Sequence, residues 1–473
     1  MRKGIHMTSK NPWGGRFSGE MTDTVQHYTE SISIDHRLAY YDIQGSIAHA
    51  KMLGETKIIP VKDVNTIVRA LKQLSIDIDR GEFRFKAELE DVHMNIERAL
   101  FQRIGSVAGK LHTARSRNDQ VNLDMRLYIR DAIRTMIRDI IVLMKSLFAA
   151  AESTFDIIIP SYTHLQQAQP VRMSHYWLAY FWKFRRDIKR LLNTYEEVNI
   201  SPLGVGAVAG VNYPINRRSI ADRLSFKGIT ENSIDTSSDR DFIADFLHAM
   251  TLCSIHFSNL SEELIIWSSN EFGFIELSDS YTTGSSIMPN KKNSDVAELA
   301  RGRSGMMIGL LTGLLATLKG LPLAYNRDLQ EDKRALFTAV DTLSATIRVF
   351  SGMLTELAVN PDRITQHMTS GFMIATDLAD YLVKKNVPFR EAHRAIGKLV
   401  KQVYDADASL FDITLATLRK VHKAFDADAL ALFNYKKSVD AKISDGGTGA
   451  KPLRKQMKHA GKFLEKSNDL FSL

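Results

Sequence analysis

Apolar positions recur at spacings of three and four along most of the chain, which predicts helices rather than strands. Leu38, Tyr41, Ile43, Ile47, Ala48 and Leu53 make one such stripe, broken at Gly54 and again at Pro60. A second helix is expected from Val61, and Glu82 to Ile104 is helix-compatible throughout. After a polar stretch, the period resumes at Val121 and runs through Ile133, Met136, Ile140, Leu143 and Leu147. Met173 to Tyr195, Asp239 to Trp267, Val296 to Leu318 and Leu343 to Leu357 predict further long helices.

Prolines and glycines punctuate this pattern. Pro160 and Pro170 bracket a non-helical interlude, and SPLGVGAVAGVNYP interrupts it with residues suited to tight backbone approach. Beyond Pro361 shorter helices are expected, separated by NVPFRE and DGGTGAKP. Strand-like alternation is scarce, with room for small hairpins near the glycine-rich segments. The fold class expected is all-α: an elongated multi-domain protein with a central long-helix bundle. Its expected divisions are a mostly helical N-terminal domain (1–117), a central bundle domain (118–365) and a small helical C-terminal domain (366–473).

Composition narrows the function classes. A length of 473 residues, 44% hydrophobic and 25% charged, excludes a disordered or fibrous chain. The formal net charge of +8 is mild for this length. Lys451, Arg454, Lys455, Lys458, Lys462 and Lys466 alternate with apolar residues, as a helix with a solvated face does, so no nucleic-acid partner is expected. A single cysteine, Cys253, excludes an intrachain disulfide framework and a thiolate metal cluster, and fits a cytoplasmic protein. The start MRKGIHMTSKNPWGG lacks the apolar segment of a signal peptide. Ser304 to Leu318, the longest uncharged apolar stretch, is too short to span a membrane and is expected to be a buried helix.

Three polar segments can carry chemistry. HTARSRNDQ holds Arg115, Arg117, Asn118 and Gln120, which suit paired hydrogen bonds to carboxylates or, alternatively, a surface cap or interdomain salt bridge. SYTHLQQAQP sets Thr163 and His164 beside a proline-bounded turn; the imidazole can exchange protons near neutral pH. GSSIMPNKKNSDVAE, residues 284–298, combines a permissive glycine, two serines and the Lys291–Lys292 pair. A serine hydroxyl is a poor base, so Ser285 could serve as one only with lysine charge or backbone donors stabilising its alkoxide. The segment matches neither a phosphate-binding Walker loop nor a GxSxG hydrolase elbow.

With these segments in hand, the chain resembles the argininosuccinate lyase family of the fumarase and aspartase superfamily. GSSIMPNKKNSDVAE is similar to the superfamily's signature loop. NPWGGRFSG, HTARSRNDQV, YTHLQQAQPV, ENSIDTSSDRDF and LPLAYNRDLQEDK are similar to the family's own segments. The resemblance implies reversible elimination of argininosuccinate to arginine and fumarate by a homotetramer whose active sites are shared between chains. It implies neither cofactor nor metal. By motif matching, Ser285 is the general base that takes the Cβ proton, Lys291 and Asn293 hold the resulting aci-carboxylate, and His164 with Glu298 forms a charge-linked pair. Ser31, Arg115, Asn118, Thr163, Tyr325, Gln330 and Lys333 are implied substrate-binding residues, with Asp91 and His93 of EDVHMNIE supporting them.

Two positions depart from the family pattern. Ser294 stands where proline is common, which predicts a less rigid loop, and Asn216 replaces a common acidic residue. Three rivals remain at this stage: a sister lyase releasing fumarate from another N-substituted aspartate, a non-catalytic helical structural protein, and a nucleic-acid-binding module.

Overall fold

A computed structural model describes residues 21–467. NPWGGRFSG and the irregular start around Asn11 to Gly15 lie outside the described residues. The fold is mostly helical, and its five longest helices are Arg117–Ser153, Met173–Val198, Asp241–Ser268, Asp295–Leu318 and Asp332–Thr355. Each falls where the three-to-four period persisted longest.

The chain divides into two compact units. Among the described residues, unit 1 comprises 21–135, 190–251 and 307–341. In it the helices Ala39–Glu55, Val61–Asp79 and Val92–Ile104 pack together through Ile43, Leu53, Ile67, Leu71, Leu74, Ile96 and Leu100, all buried. Fully burying one such aliphatic side chain contributes about 1.5 to 3 kcal/mol. The first turns of Arg117–Ser153 instead bury polar groups, Asp119, Gln120, Asn122, Asp124 and Arg126. Such groups need partners: Arg126 Nε donates to Asn122 Oδ1 at 2.9 Å, and its guanidinium lies 4.1 Å from the Phe242 ring centre.

Among the described residues, unit 2 comprises 136–189, 252–306 and 342–467. Phe257 packs between Phe184 and Phe350, with ring centres 4.8 and 5.1 Å away, joining three long-helix segments. A separate apolar cluster of Leu378, Leu382, Ile396, Leu399, Leu418 and Phe425 holds the shorter C-terminal helices together. The helix Ala450–Lys466 keeps its basic residues exposed and buries Pro452, Leu453 and Ala460, as the alternation predicts. Cys253 is buried. Among the described residues no helix is long and apolar enough to cross a membrane.

Strands are few and short. β1 (Ile158–Thr163) and β2 (Gln166–Arg172) form an antiparallel hairpin, and β3 (Ile200–Ser201) pairs parallel with β4 (Gly228–Ile229). β5 (Ile275–Glu276) pairs with β8 (Ala358–Val359), and β6 (Thr283–Gly284) with β7 (Lys292–Asn293), both antiparallel. The longest hairpin therefore occupies the proline-bracketed interlude and not the 201–214 glycine segment, where the first strand pairs in parallel.

Two further expectations are corrected. Residues 82–91 are not helical apart from the turn Ala87–Leu89: Glu90 takes a positive φ of 65°, and Asp91 starts the next helix by accepting from Met94 N–H at 2.7 Å. Ser304 to Leu318 is helical, but only Ser304, Met307 and Leu314 are buried in the single chain. Its apolar residues point all round the helix, and one chain covers only one side of it.

Candidate active site

Seven of the sequence-derived residues meet at one cavity of about 200 Å³ in unit 1: Ser31, Asp91, His93, Asn118, Tyr325, Gln330 and Lys333. They come from four separate stretches of chain. Asp35, Glu90, Arg117, Val121 and Arg327 complete the lining. Of these, Arg117 stands in the arginine segment already noted, Glu90 and Arg327 lie in the segments EDVHMNIE and LPLAYNRDLQEDK without being singled out there, and Asp35 carried no signal.

Local bonding explains how these stretches are held. The Glu90 carbonyl, turned by its positive φ, accepts from both Ser31 N–H and Ile32 N–H at 2.9 and 3.0 Å. Asp35 is buried and ties the same corner, accepting from Ser31 Oγ at 2.6 Å and from Val92 N–H at 3.1 Å. Burial raises its carboxyl above the ordinary range, while His93 and the Ser31 bond oppose that rise. Arg327 donates to Glu90 Oε1 at 2.6 Å, and Gln330 Nε2 reaches the Thr29 carbonyl at 3.3 Å. Lys333 Nζ sits 3.0 Å from Asp332 Oδ1, and Asp332 also takes the buried Arg240 guanidinium.

Charge in the lining is mixed. Arg117, Arg327 and Lys333 are cationic, Asp35, Glu90 and Asp91 are carboxylic, and Ser31, Asn118, Tyr325 and Gln330 add neutral donors and acceptors. That set suits a small ligand carrying both carboxylates and a cationic nitrogen group. Arg115 does not line this cavity. It borders another, of about 520 Å³, with Arg117 and Gly206, and its Nη1 donates to Ser46 Oγ at 2.8 Å. Asp119 fastens the glycine segment there by accepting from Gly204 and Gly206 N–H at 3.0 and 2.9 Å. Burial pushes the Asp119 carboxyl up to about 6 although three backbone donors favour its charge. Gly206 has φ +68°, and a Cβ there would lie 2.8 Å from the Gly210 carbonyl oxygen, so only glycine fits.

Unit 2 holds the remaining candidates. Thr163 and Gln166 pair across the hairpin tip, leaving His164 and Leu165 as a two-residue turn with φ values of 56° and 57°. Positive φ at both central positions belongs to the type I′ hairpin, usually Asn-Gly. A histidine and a leucine held there are strained, a feature that clusters at functional sites. Thr163 and His164 are exposed, and Gln167 ties the tip by donating to the His367 carbonyl at 2.7 Å.

In the signature loop, β6 and β7 pair Thr283 with Asn293 and Gly284 with Lys292, closing residues 285–291 into a protruding loop. Ser285 Oγ accepts from Ile287 N–H at 3.3 Å and from Met288 N–H at 3.1 Å. These are backbone donors of the kind an alkoxide needs. Lys292 is committed to Glu276 and Asp279 at 3.1 and 2.8 Å, whereas Lys291 makes no ion pair among the described residues and is exposed. Glu298 is exposed in the first turn of Asp295–Leu318, and within one chain it is not ion-paired with His164. Asn216 caps the helix Arg217–Arg223 by accepting from Ser219 N–H at 3.0 Å.

The lyase family profile matches residues 15–309, and the argininosuccinate lyase C-terminal profile matches residues 372–440. An argininosuccinate lyase of Syntrophotalea carbinolica is 46% identical over 452 residues, covering 96% of this chain and 98% of the relative. The chain belongs to the argininosuccinate lyase family. An argininosuccinate lyase of Symbiobacterium thermophilum, also 46% identical, covers 96% of this family member and 98% of its own length. Among solved structures, an EDDS lyase in complex with formate is 27% identical, with a TM-score of 0.83 over 93% of this chain and 88% of its own.

Proposed function

We propose that this protein is an argininosuccinate lyase of arginine biosynthesis, releasing arginine and fumarate reversibly in the cytoplasm. The observation that carries the reading is the convergence of Ser31, Asp91, His93, Asn118, Tyr325, Gln330 and Lys333 on one cavity of mixed charge, in a chain 46% identical to argininosuccinate lyases along nearly its whole length.

The proposed chemistry starts at Ser285. Its alkoxide, stabilised by the Ile287 and Met288 N–H groups, removes the proton from the substrate Cβ, and the electron pair moves onto the adjoining carboxylate. Lys291 and Asn293 hold the extra charge of that aci-carboxylate. The pair then returns to form the Cα=Cβ bond, the Cα–N bond breaks, and the guanidinium nitrogen leaves with a proton, which we assign to His164 supported by Glu298. Thr163 and Arg115 are read as further substrate-orienting residues. Donors that meet developing charge accelerate such a step only where they bind the transition state more tightly than the substrate.

Assembly completes the reading. On Asp295–Leu318, Leu299, Met306, Ile308 and Leu315 are exposed, and Gly302, Gly305, Gly309 and Gly313 have open space where a Cβ would stand. An apolar helix with a small-residue stripe supports close packing against copies of the same helix, as in a homotetramer with shared sites, in which His164 and Glu298 come from different chains. The 1–117, 118–365 and 366–473 divisions are kept as the domains of each chain.

Purified protein given argininosuccinate, adenylosuccinate or aspartate, with fumarate and the amine product identified, tests the assignment. Arginine and fumarate from argininosuccinate are expected. Failure with argininosuccinate alongside rapid turnover of another N-substituted aspartate would overturn it in favour of a sister lyase.

A further inference from the structure

Beneath the unit 1 cavity lies a buried polar cluster that the proposed chemistry does not use. Asp42 of Ala39–Glu55, His93 of Val92–Ile104 and Asp124 of Arg117–Ser153 have side chains at most 1% exposed. His93 Nδ1 lies 3.0 Å from Asp42 Oδ1 and 3.5 Å from Asp124 Oδ2. Asp42 also accepts from Gln120 Nε2. His93 itself lines the cavity, and its Nε2 is buried without a hydrogen-bond partner, as are both oxygens of Asp124.

We propose that Asp42 and Asp124 share one proton and act as positioning residues for His93, fixing Nδ1 as a donor and leaving Nε2 as the ring's acceptor toward substrate. This rests on the cavity being the substrate site. The division of roles follows from the geometry. Asp42 receives two donors and is the ionised member. Asp124 receives no close donor, and a second buried carboxylate beside Asp42 would be repelled, so Asp124 carries the proton of the pair. Burial and the neighbouring Asp42 charge hold the Asp124 carboxyl well above the usual range, against Arg115 and Arg117. At Asp42 burial also works against ionisation, but the hydrogen bonds from His93 and Gln120 and the Arg115 charge outweigh it, so its carboxyl sits low. A histidine whose second nitrogen is held by a carboxylate presents one tautomer only.

The test uses the full-length protein and the variants Asp42→Asn, Asp124→Asn, His93→Gln and Asp42→Asn/His93→Gln. Asp42→Asn favours the opposite tautomer and is expected to lower kcat by about 10- to 100-fold with KM changed far less. Asp124→Asn, whose amide N–H replaces the acid proton, is expected to lose much less than Asp42→Asn. In the His93→Gln background the Asp42→Asn effect should vanish, whereas a merely structural role would add to it. Selective ¹⁵N-histidine spectra supply a readout independent of turnover: wild-type His93 should carry its proton on Nδ1, and Asp42→Asn should move it. An Nδ1 without a proton in the wild type, additive losses in the double variant, or equal losses from Asp42→Asn and Asp124→Asn would each overturn the proposal. So would a zinc- or cobalt-dependent rise in melting temperature abolished by His93→Gln, because that would make the cluster a metal site. If the wild type fails to turn over argininosuccinate, the functional reading fails, and the spectra still decide the proposal.

Discussion

Replacing Arg240 with Met removes one of two cations from a carboxylate that has no access to water. Arg240 and Asp332 both have fully buried side chains, with Arg240 Nε donating to Asp332 Oδ2. At an effective dielectric of about 20, unit charges roughly 4 Å apart attract by about 4 kcal/mol, and removing one partner of a buried pair costs about 3 to 5 kcal/mol. Lys333 Nζ remains 3.0 Å from Asp332 Oδ1 and offsets part of the loss, which places Arg240→Met near about 3 kcal/mol. A second effect follows on function: as the sole remaining cation on Asp332, Lys333 is held more firmly by the protein, so KM for argininosuccinate should rise. Urea midpoints at one fixed protein concentration, with steady-state kinetics, measure both. The double variant Arg240→Met/Asp332→Leu should recover much of the stability, since no charge is then stranded. A single variant within about 1 kcal/mol of wild type, with unchanged KM, would refute the reasoning.

His49 gives a pH prediction. Burial, helped by the Arg115 charge, lowers its imidazole from 6.5 to about 3, so the folded chain keeps it neutral while the unfolded chain takes up a proton. Its contribution is full above pH 6.5 and declines by up to about 1.4 kcal/mol per pH unit as pH falls toward 3; His49→Gln should flatten that slope in unfolding measured between pH 6.5 and 4.5, and an unchanged slope would contradict it. At Gly352, an added Cβ would overlap the Tyr281 hydroxyl, and Tyr281 leads directly into β6 and Ser285. Gly352→Ala should destabilise by about 1 to 3 kcal/mol and lower kcat, with Tyr281→Phe restoring part of both in calorimetry and turnover assays. Ser294→Pro should be accommodated, because Asn293 is already in a strand, the conformation a following proline demands. Slower proteolytic cleavage within 284–298, with turnover retained and a gain of about 0.4 to 1 kcal/mol, is expected.

The long helices were legible because their apolar period continues for many turns, which no other element imitates. The cavity was legible through the family resemblance, which implies seven of its lining residues by motif matching, whereas local chemistry alone singles out only Arg117 and Asn118 among them. Other features left no trace. Glu90 bends the chain through a positive φ that a glutamate does not advertise, so the apolar pattern places the helix start ten residues too early. The hairpin tip uses His164 and Leu165 where Asn-Gly would have announced a turn. Hydropathy predicts burial for Ser304 to Leu318 because it records that a face avoids water and not which chain covers it. Asp42 and Asp124 are isolated aspartates in the sequence, and only the packing of three helices brings them to one histidine.

The most direct test of the central claim is single-turnover conversion of argininosuccinate by Ser285→Ala, compared with wild type at matched oligomeric state by light scattering. Fumarate formation should fall by several orders of magnitude while substrate binding and assembly persist. Turnover at the wild-type rate by the assembled Ser285→Ala protein would contradict it.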